Sequence, residues 1–469
     1  MGLFKFGFEV NSILYNYDIN PILTSDDFGM LVMKVEPEAD KKDSTYWRNT
    51  QTIPASFYEI EAYRRIDSLE SIELTFWDRF SLLSDKFYIN DNFYLPGVTS
   101  LYHFTNVEGH SIDFKTGFQN LLEDRFDGVI ELSYGFSDKK LKKDLNLRYL
   151  LGEYRTSEVS INMFDKTNIL FDESDNYNLF TSTLTSLFGK YDFRDYYSSS
   201  GFSFDYSSEV FPILKLNIGL LNRTDKSLIE KSDFSFFYKD KSYPVNMPIH
   251  DSKINAVKFG FNFDFRKYIE DGKFRRRLMG NTSRISFGGE GLFSDGSLLN
   301  SEMDFQLYSL NINSRVRSFA STYFDLFLDG NISNGAVPVQ MMRALPGNIE
   351  SSGKNNTFRT LRVGEVFGDK IITAFFEYNL GTELWRILNF SLLQDLQINL
   401  TAFINGAYLD ISEPSRNILT DDFKTFKNPF WESGFTIGHP LIPLRLEFTW
   451  KLNHRGDNNF VFGINTFVL

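Results

Sequence analysis

The sequence predicts an all-β protein: a transmembrane antiparallel β-barrel of about 16 strands, preceded by a short N-terminal periplasmic segment that contains a helix. Three observations lead there. Aromatic residues make up 17% of the 469 residues, with 50 Phe and 23 Tyr, yet mean hydropathy is slightly negative at -0.26, so apolar and polar residues are finely interleaved. No run approaches the roughly 18 consecutive apolar residues that a spanning helix needs. Runs in which apolar and polar residues alternate recur to the end of the chain, as a wall with a greasy outside and a wet inside requires.

The clearest run is Lys253 to Lys267, where Val257, Phe259, Phe261, Phe263 and Phe265 share one face and Lys258, Gly260, Asn262, Asp264 and Arg266 the other. Leu396 to Ile404 repeats it, with Leu396, Ile398, Leu400, Ala402 and Ile404 outward. So does Leu444 to Asn453, where Leu444, Leu446, Phe448, Trp450 and Leu452 oppose Arg445, Glu447, Thr449, Lys451 and Asn453. Comparable runs lie at Ile130 to Phe136, Leu145 to Tyr149, Leu214 to Leu220, Phe324 to Leu328, Ile372 to Leu380 and Asn459 to Leu469. Turn-like clusters such as Ser-Asp-Lys-Lys and Arg-Gly-Asp-Asn-Asn separate them.

In lipid an unpaired sheet edge leaves backbone N–H and C=O groups unsatisfied, at a cost of several kcal/mol each, so such strands must close into a cylinder. Roughly 20 to 23 residues per strand and connection over residues 97–469 give about 16 to 18 strands, and 16 is favoured. A large soluble sandwich or propeller also alternates, but polar and charged faces would then form its core.

Residues 1–96 read differently, as a periplasmic segment ahead of the barrel at 97–469. Pro54 and Ser56 stand before Glu59, and Phe57, Ile60, Tyr63 and Ile66 follow with helical spacing, which predicts a short amphipathic helix packed on the periplasmic mouth of the barrel. Tyr177 to Lys190 is a second candidate helix. Nothing at the N-terminus reads as a signal peptide, so a mature or truncated form of an outer-membrane protein is expected.

Composition removes several function classes. There is no cysteine, hence no disulfide, thiolate nucleophile or cysteine metal site. The net charge of -12 argues against a nucleic-acid binder. The five histidines, His103, His110, His250, His439 and His454, are scattered, and no metal-binding, phosphate-cradling or nucleophile motif occurs, so no enzyme, cofactor or metal is expected. His103 and His110 straddle a turn at Glu108-Gly109 and could meet across a hairpin as a weak metal site.

Several segments resemble a known family. Tyr46-Trp47, Ile53-Pro54, Glu59, Glu61, Tyr63 and Asp67-Ser68 look like the pre-barrel segment of an uncharacterised Bacteroidota-type outer-membrane family. Leu345-Pro346-Gly347-Asn348 leading to Phe358, Leu361, Glu365 and Asp369, and the closing pair Pro443 to Trp450 with Phe460 to Ile464, fit the same family. The resemblance implies a carboxypeptidase-regulatory-like domain ahead of the barrel. It also implies a barrel similar to the BamA/TamA and surface-antigen superfamily, whose members insert or translocate proteins at the outer membrane. Asn106 to Gly109, Glu377 in Phe376 to Leu380 and the terminal hairpin match that likeness. The superfamily's Arg-Gly-aromatic loop tip has no clear copy here, nor do repeated soluble modules precede residue 97.

The implied partners are outer-membrane lipid and client outer-membrane proteins or lipoproteins. A passive or structural barrel, with Lys215, Lys258, Asp264, Arg266, Arg445, Glu447 and Lys451 lining its lumen, is the alternative. In both readings the long connection from Asn331 to Gly368 is the candidate functional element. It is expected to enter the lumen as a plug through Arg343, Leu345, Pro346, Gly347 and Asn348, with Arg343 paired to an inward acid such as Glu377 or Glu447. A disordered extracellular loop is the competing expectation.

Overall fold

The computed structural model describes residues 19, 22, 29–35, 39–50, 56–70 and 86–465, apart from 173–176, 280–282, 320–321, 350–351, 354–355, 421–422, 424 and 440–441. Among the described residues sixteen strands, each antiparallel to the next in sequence, make the wall of a closed barrel, with the short strands Lys86–Tyr88 and Ser352–Gly353 joined to its edges. The sixteen are β1 (Phe93–Pro96 and Tyr102–Thr105), β2 (Gly109–Asn120), β3 (Phe126–Gly135), β4 (Lys140–Leu151), β5 (Ser157–Ile169) and β6 (Tyr196–Phe211). Then come β7 (Leu214–Ser227), β8 (Ser252–Asp264), β9 (Arg284–Ser294), β10 (Phe305–Arg317) and β11 (Tyr323–Gly335). The last five are β12 (Lys370–Gly381), β13 (Asn399–Asp410), β14 (Phe430–His439), β15 (Ile442–Lys451) and β16 (Phe460–Asn465).

Each predicted run overlaps a strand, and where the residues are described the apolar positions face outward; Thr466 to Leu469 lie outside the described residues. On β8, Phe259 and Phe261 are exposed outside, while inward Lys258 pairs with Asp205 of β6 at 2.7 Å. Lys215 of β7 likewise meets Glu158 of β5 at 3.0 Å in the lumen. Charged lumen residues thus pair between strands, and apolar side chains face outward, the reverse of a soluble sandwich. Three boundaries differ. The first strand begins at Phe93, ahead of residue 97, because Pro96-Gly97 and a single turn at Val98–Ser100 break it into two pieces. The run at Leu396 starts β13 only at Asn399, since short helices at Glu383–Ile387 and Ser391–Asp395 occupy the connection before it. β11 extends to Gly335, so the long connection is 336–369.

The end at which β1 starts, the near end, carries short connections such as 121–125, 152–156 and 212–213 together with two longer ones, 265–283 and 382–398; the far end carries 170–195, 228–251, 336–369 and 411–429. Within 170–195 a helix, α2 (Leu179–Gly189), forms where the sequence suggested one.

At the near end, Leu31–Val35 runs parallel to Tyr268–Asp271 of a small hairpin completed by Phe274–Arg277. The expected helix is present as α1 (Phe57–Glu70). Its capping box closes reciprocally, Ser56 N–H on the Glu59 carboxylate at 2.6 Å and Glu59 N–H on the Ser56 hydroxyl at 3.3 Å. Its apolar residues Phe57, Ile60, Tyr63 and Ile66 are all exposed, so among the described residues the expected packing on the barrel mouth is not made. Of the pre-barrel motif, Glu61 pairs with Arg65 at 2.6 Å and Tyr63 is exposed. Pro54 and the side chains of Trp47 and Asp67 lie outside the described residues.

Candidate functional site: the plug loop and the seam

The connection 336–369 turns back into the barrel rather than out into solvent. Arg343–Ala344 pairs with Phe367–Gly368, and Leu345 N–H bonds to Val366 O at 2.8 Å, so the two limbs of the loop descend side by side. Val337, Val339, Met342 and Ala344 pack with Ile254, Leu292, Phe305 and Ile411. Leu345, Phe358, Leu361 and Val366 pack with Phe375, Leu409 and Phe430 from β12, β13 and β14. Burying these side chains against inward-facing strand residues provides the apolar driving force for the plug. Gly347 is required by proximity: a Cβ there would lie 2.2 Å from the carbonyl oxygen of Arg362. Asn348 then bridges the limbs, its amide donating to Thr357 Oγ1 at 2.8 Å and Phe358 O at 2.9 Å.

At the bottom of the loop sits Arg359, fully enclosed. Its guanidinium lies 3.3 Å from Glu447 of β15 and 3.6 Å from Glu377 of β12, and stacks over the Phe403 ring of β13 at 4.9 Å. The backbone N–H groups of Arg359 and Thr360 both donate to the Glu432 carboxylate of β14 at 3.0 Å, and the Thr360 hydroxyl donates to it at 2.7 Å. Asn405 of β13 donates to Glu432, Asn465 of β16 to Glu447, and Arg445 of β15 lies 3.3 Å from Glu447. Two guanidinium groups and three carboxylates are therefore interleaved. Buried charge of this kind persists only when its partners are in place. Strands β12, β13, β14 and β15 each touch Arg359, and β16 joins the lattice through Asn465 on Glu447.

The expected lumen partners are in part brought together here. Glu377, Arg445 and Glu447 surround the loop, but around Arg359; the ion pair made by Arg343 is with Asp329 of β11, at 3.3 Å. Arg343 lies on the descending limb, beside β11, one limb away from the acids assigned to it. Glu365 stays within the loop, accepting the Arg362 N–H at 3.0 Å. Asp369 closes the loop at the far end, accepting from Ser333 and Ser415 hydroxyls at 2.6 Å and from Ser412 N–H at 2.8 Å. Leu345, Pro346, Gly347 and Asn348 stand where expected, on the loop. Sequence reading missed Arg359, Glu432, Asn405 and Asn465. The available signal was an arginine lying between apolar Phe358 and Leu361, just after the polar stretch Ser351 to Thr357.

Where the cylinder closes, the edges are covered in another way. Among the described residues no backbone ladder joins β16 to β1. Ser352–Gly353 of the plug loop runs parallel to Ile464–Asn465 on the edge of β16. On the edge of β1, Lys86–Tyr88 pairs with Tyr94–Pro96 at the near end. At the far end the Phe104 N–H donates to the Thr183 hydroxyl of α2 at 3.1 Å, and the Asn106 N–H donates to Asp192 at 3.3 Å. Tyr177, ahead of α2, ties the two coverings together: its hydroxyl accepts the Ile349 N–H at 2.9 Å and donates to Asn348 at 3.3 Å.

The expected meeting of His103 and His110 does not occur. His103 faces the lumen between Glu108 and Asp113, 2.5 Å from each, and His110 faces outward against the Tyr102 hydroxyl at 2.7 Å. His103 pairs across the hairpin with Ser111, which puts its neighbour His110 on the opposite face. Burial would raise the Glu108 carboxyl, in the β1–β2 turn, but its hydrogen bond and charge contact with His103, and the Lys142 ammonium, hold it down to about 2. Among the described residues no group of His, Asp and Glu is arranged to hold a metal ion.

A family model matches residues 84–332, more than half of the chain: the C-terminal domain of a family of unknown function (DUF5686). The chain belongs to this family. No curated protein matches it. Among solved structures, BamA from Haemophilus ducreyi lacking POTRA domains 1–3 is similar at 13% identity over 92% of this chain and 83% of that one, with a TM-score of 0.46. CdiB from Acinetobacter baumannii is similar at 9% identity over 77% of this chain and 57% of that one, with a TM-score of 0.42. OccK1 from Pseudomonas aeruginosa covers 79% of this member of the family at 11% identity, with a TM-score of 0.30. Likeness at this level says nothing of activity.

Proposed function

We propose that this barrel sits in the bacterial outer membrane and assists the insertion or export of proteins or lipoproteins there, by parting sideways at the seam between β1 and β16. The observation that carries the reading is how the two seam edges are covered. Neighbouring strands elsewhere are joined by long ladders, for example ten residue pairs between β3 and β4, whereas among the described residues the edge of β16 is met by the two pairs of Ser352–Gly353. A strand edge covered by so few bonds is inexpensive to uncover, and an uncovered edge in lipid demands a new strand to satisfy its N–H and C=O groups. A client strand is such a group. The Arg359 network supports the same reading, because it clamps β12 to β16 as one unit and leaves β1 outside it. The sequence resemblance to the surface-antigen superfamily points the same way.

Depleting the protein from its host and quantifying the outer-membrane proteome tests this. Selective loss of other barrels or surface lipoproteins is expected; an unchanged proteome would remove the proposal. A second reading, a passive channel, draws on a lumen cavity of about 280 Å³ lined by Arg223, Lys258, Glu290 and Arg343. It requires ion conductance after reconstitution, which the seam reading does not.

A further inference from the structure

Helix α2 is inverted for a helix in water. Its sequence, Leu-Phe-Thr-Ser-Thr-Leu-Thr-Ser-Leu-Phe-Gly, carries no charge, and the face it buries is largely polar, made of Ser182, Thr183 and Ser186 with Leu187. The opposite stripe, Phe180, Leu184 and Phe188 at i, i+4 and i+8, is exposed. The polar face has partners. Thr183 accepts the edge N–H of Phe104, and Ser182 accepts Arg194 Nη1 at 2.9 Å. The Ser186 hydroxyl is buried without a hydrogen-bond partner among the described residues, while its backbone carbonyl accepts the Tyr243 hydroxyl at 2.8 Å. On the apolar side Phe188 meets the rings of Phe236 and Phe237, which are themselves exposed.

This patch is not isolated. An unbroken line of ring contacts leads to it from the outer face of the barrel wall: Tyr102 to His110 at 6.0 Å, His110 to Phe234 at 4.7 Å, Phe234 to Phe236 at 5.3 Å, and Phe236 to Phe188 at 5.4 Å. Tyr102 and His110 lie on the same face of β1 and β2 as the exposed Ile112 and Phe114. The helix obeys the rule of the strands, polar inward and apolar outward, and its apolar face continues theirs.

We propose that α2, with Phe234, Phe236 and Phe237, is a lipid-contacting surface that takes the place of barrel wall at the far end of the seam, its occupant being the acyl chains of the outer leaflet. Continuity with the wall argues for lipid, because whatever solvates Ile112 and Phe114 also reaches Phe188. The proposal rests on the membrane reading of the barrel, and its test separates the two. Since the chain lacks cysteine, a single introduced cysteine takes a nitroxide label at one place. The full chain is reconstituted in phosphatidylethanolamine–phosphatidylglycerol vesicles with labels at L184C, at I218C on the outer face of β7, and at D457C in the exposed β15–β16 turn.

Collision of each label with oxygen, which concentrates in lipid, and with a water-soluble nickel chelate is then measured. Leu184 is expected to match Ile218, favouring oxygen, at roughly 5–10 Å below the headgroups. If Leu184 instead matches Asp457 while Ile218 favours oxygen, the lipid surface is overturned and the membrane barrel stands. If neither reagent reaches Leu184, a partner chain or second copy covers it, which also overturns the proposal. If Ile218 itself favours nickel, the membrane reading fails.

Discussion

Arg359 and Glu447 lie 88 positions apart in sequence and meet at 3.3 Å, both nearly devoid of solvent contact, at the point where the plug loop touches β15. The pair is one contact in a lattice of charge that also holds Glu377, Glu432 and Arg445. Its value lies in what its loss leaves behind.

Arg359→Ala is expected to destabilise the barrel by roughly 3–5 kcal/mol, because buried carboxylates on β12, β14 and β15 are left uncompensated. Arg359→Lys keeps the charge but loses the planar fork, and is expected to fall between the two. Arg343→Ala, which breaks a partly exposed pair with Asp329, is expected to cost only about 0–1 kcal/mol. Urea unfolding of the refolded protein measures all three; equal losses for Arg359→Ala and Arg343→Ala would refute the assignment.

Gly347→Ala adds a methyl into the Arg362 carbonyl, which is backbone and cannot swing aside. The loop limbs must separate, so protease cleavage between 346 and 363 is expected to accelerate while the strands stay protected. Unchanged cleavage would show that the limbs are less closely joined than the structure has them.

Burial pushes the Asp192 carboxyl, in the connection before β6, up to about 7, more than its hydrogen bonds from the Asn106 amide and Tyr196 hydroxyl can offset. The folded state therefore holds this proton between about pH 4 and 7 while the unfolded state releases it, so stability contributed here falls as pH rises through that window. Hydrogen exchange at the Asn106 amide, corrected for its intrinsic pH dependence, is expected to be faster at pH 8 than at pH 5. Asp192→Asn should flatten the difference. Protection that rises with pH would contradict this account.

Strand positions were legible because a lipid-facing wall imposes a period of two on each strand by itself: Val257 to Phe265 could be assigned to one face without knowing any neighbour. The separation of His103 from His110 was legible by the same rule, once the pairing His103 with Ser111 is known. Arg359 was not. Which arginine meets Glu447 depends on how a loop of more than thirty residues folds back and on which strands lie opposite its tip, neither of which is a local property of the sequence. Helices misled in their surroundings rather than their extent. The apolar spacing of Phe57 to Ile66 forecasts a helix correctly, but it does not say what lies against that face, and in α2 the buried face proved to be the polar one.

The central claim is that the seam must part, and locking it tests that most directly. A cysteine within Tyr102–Thr105 and another within Phe460–Asn465 would be the only two in the chain, so a disulfide between them joins β1 to β16. The locked protein is expected to reach the membrane and yet fail to restore client barrels or lipoproteins in depleted cells, with recovery on adding reductant. Full client levels with the disulfide intact would contradict the account.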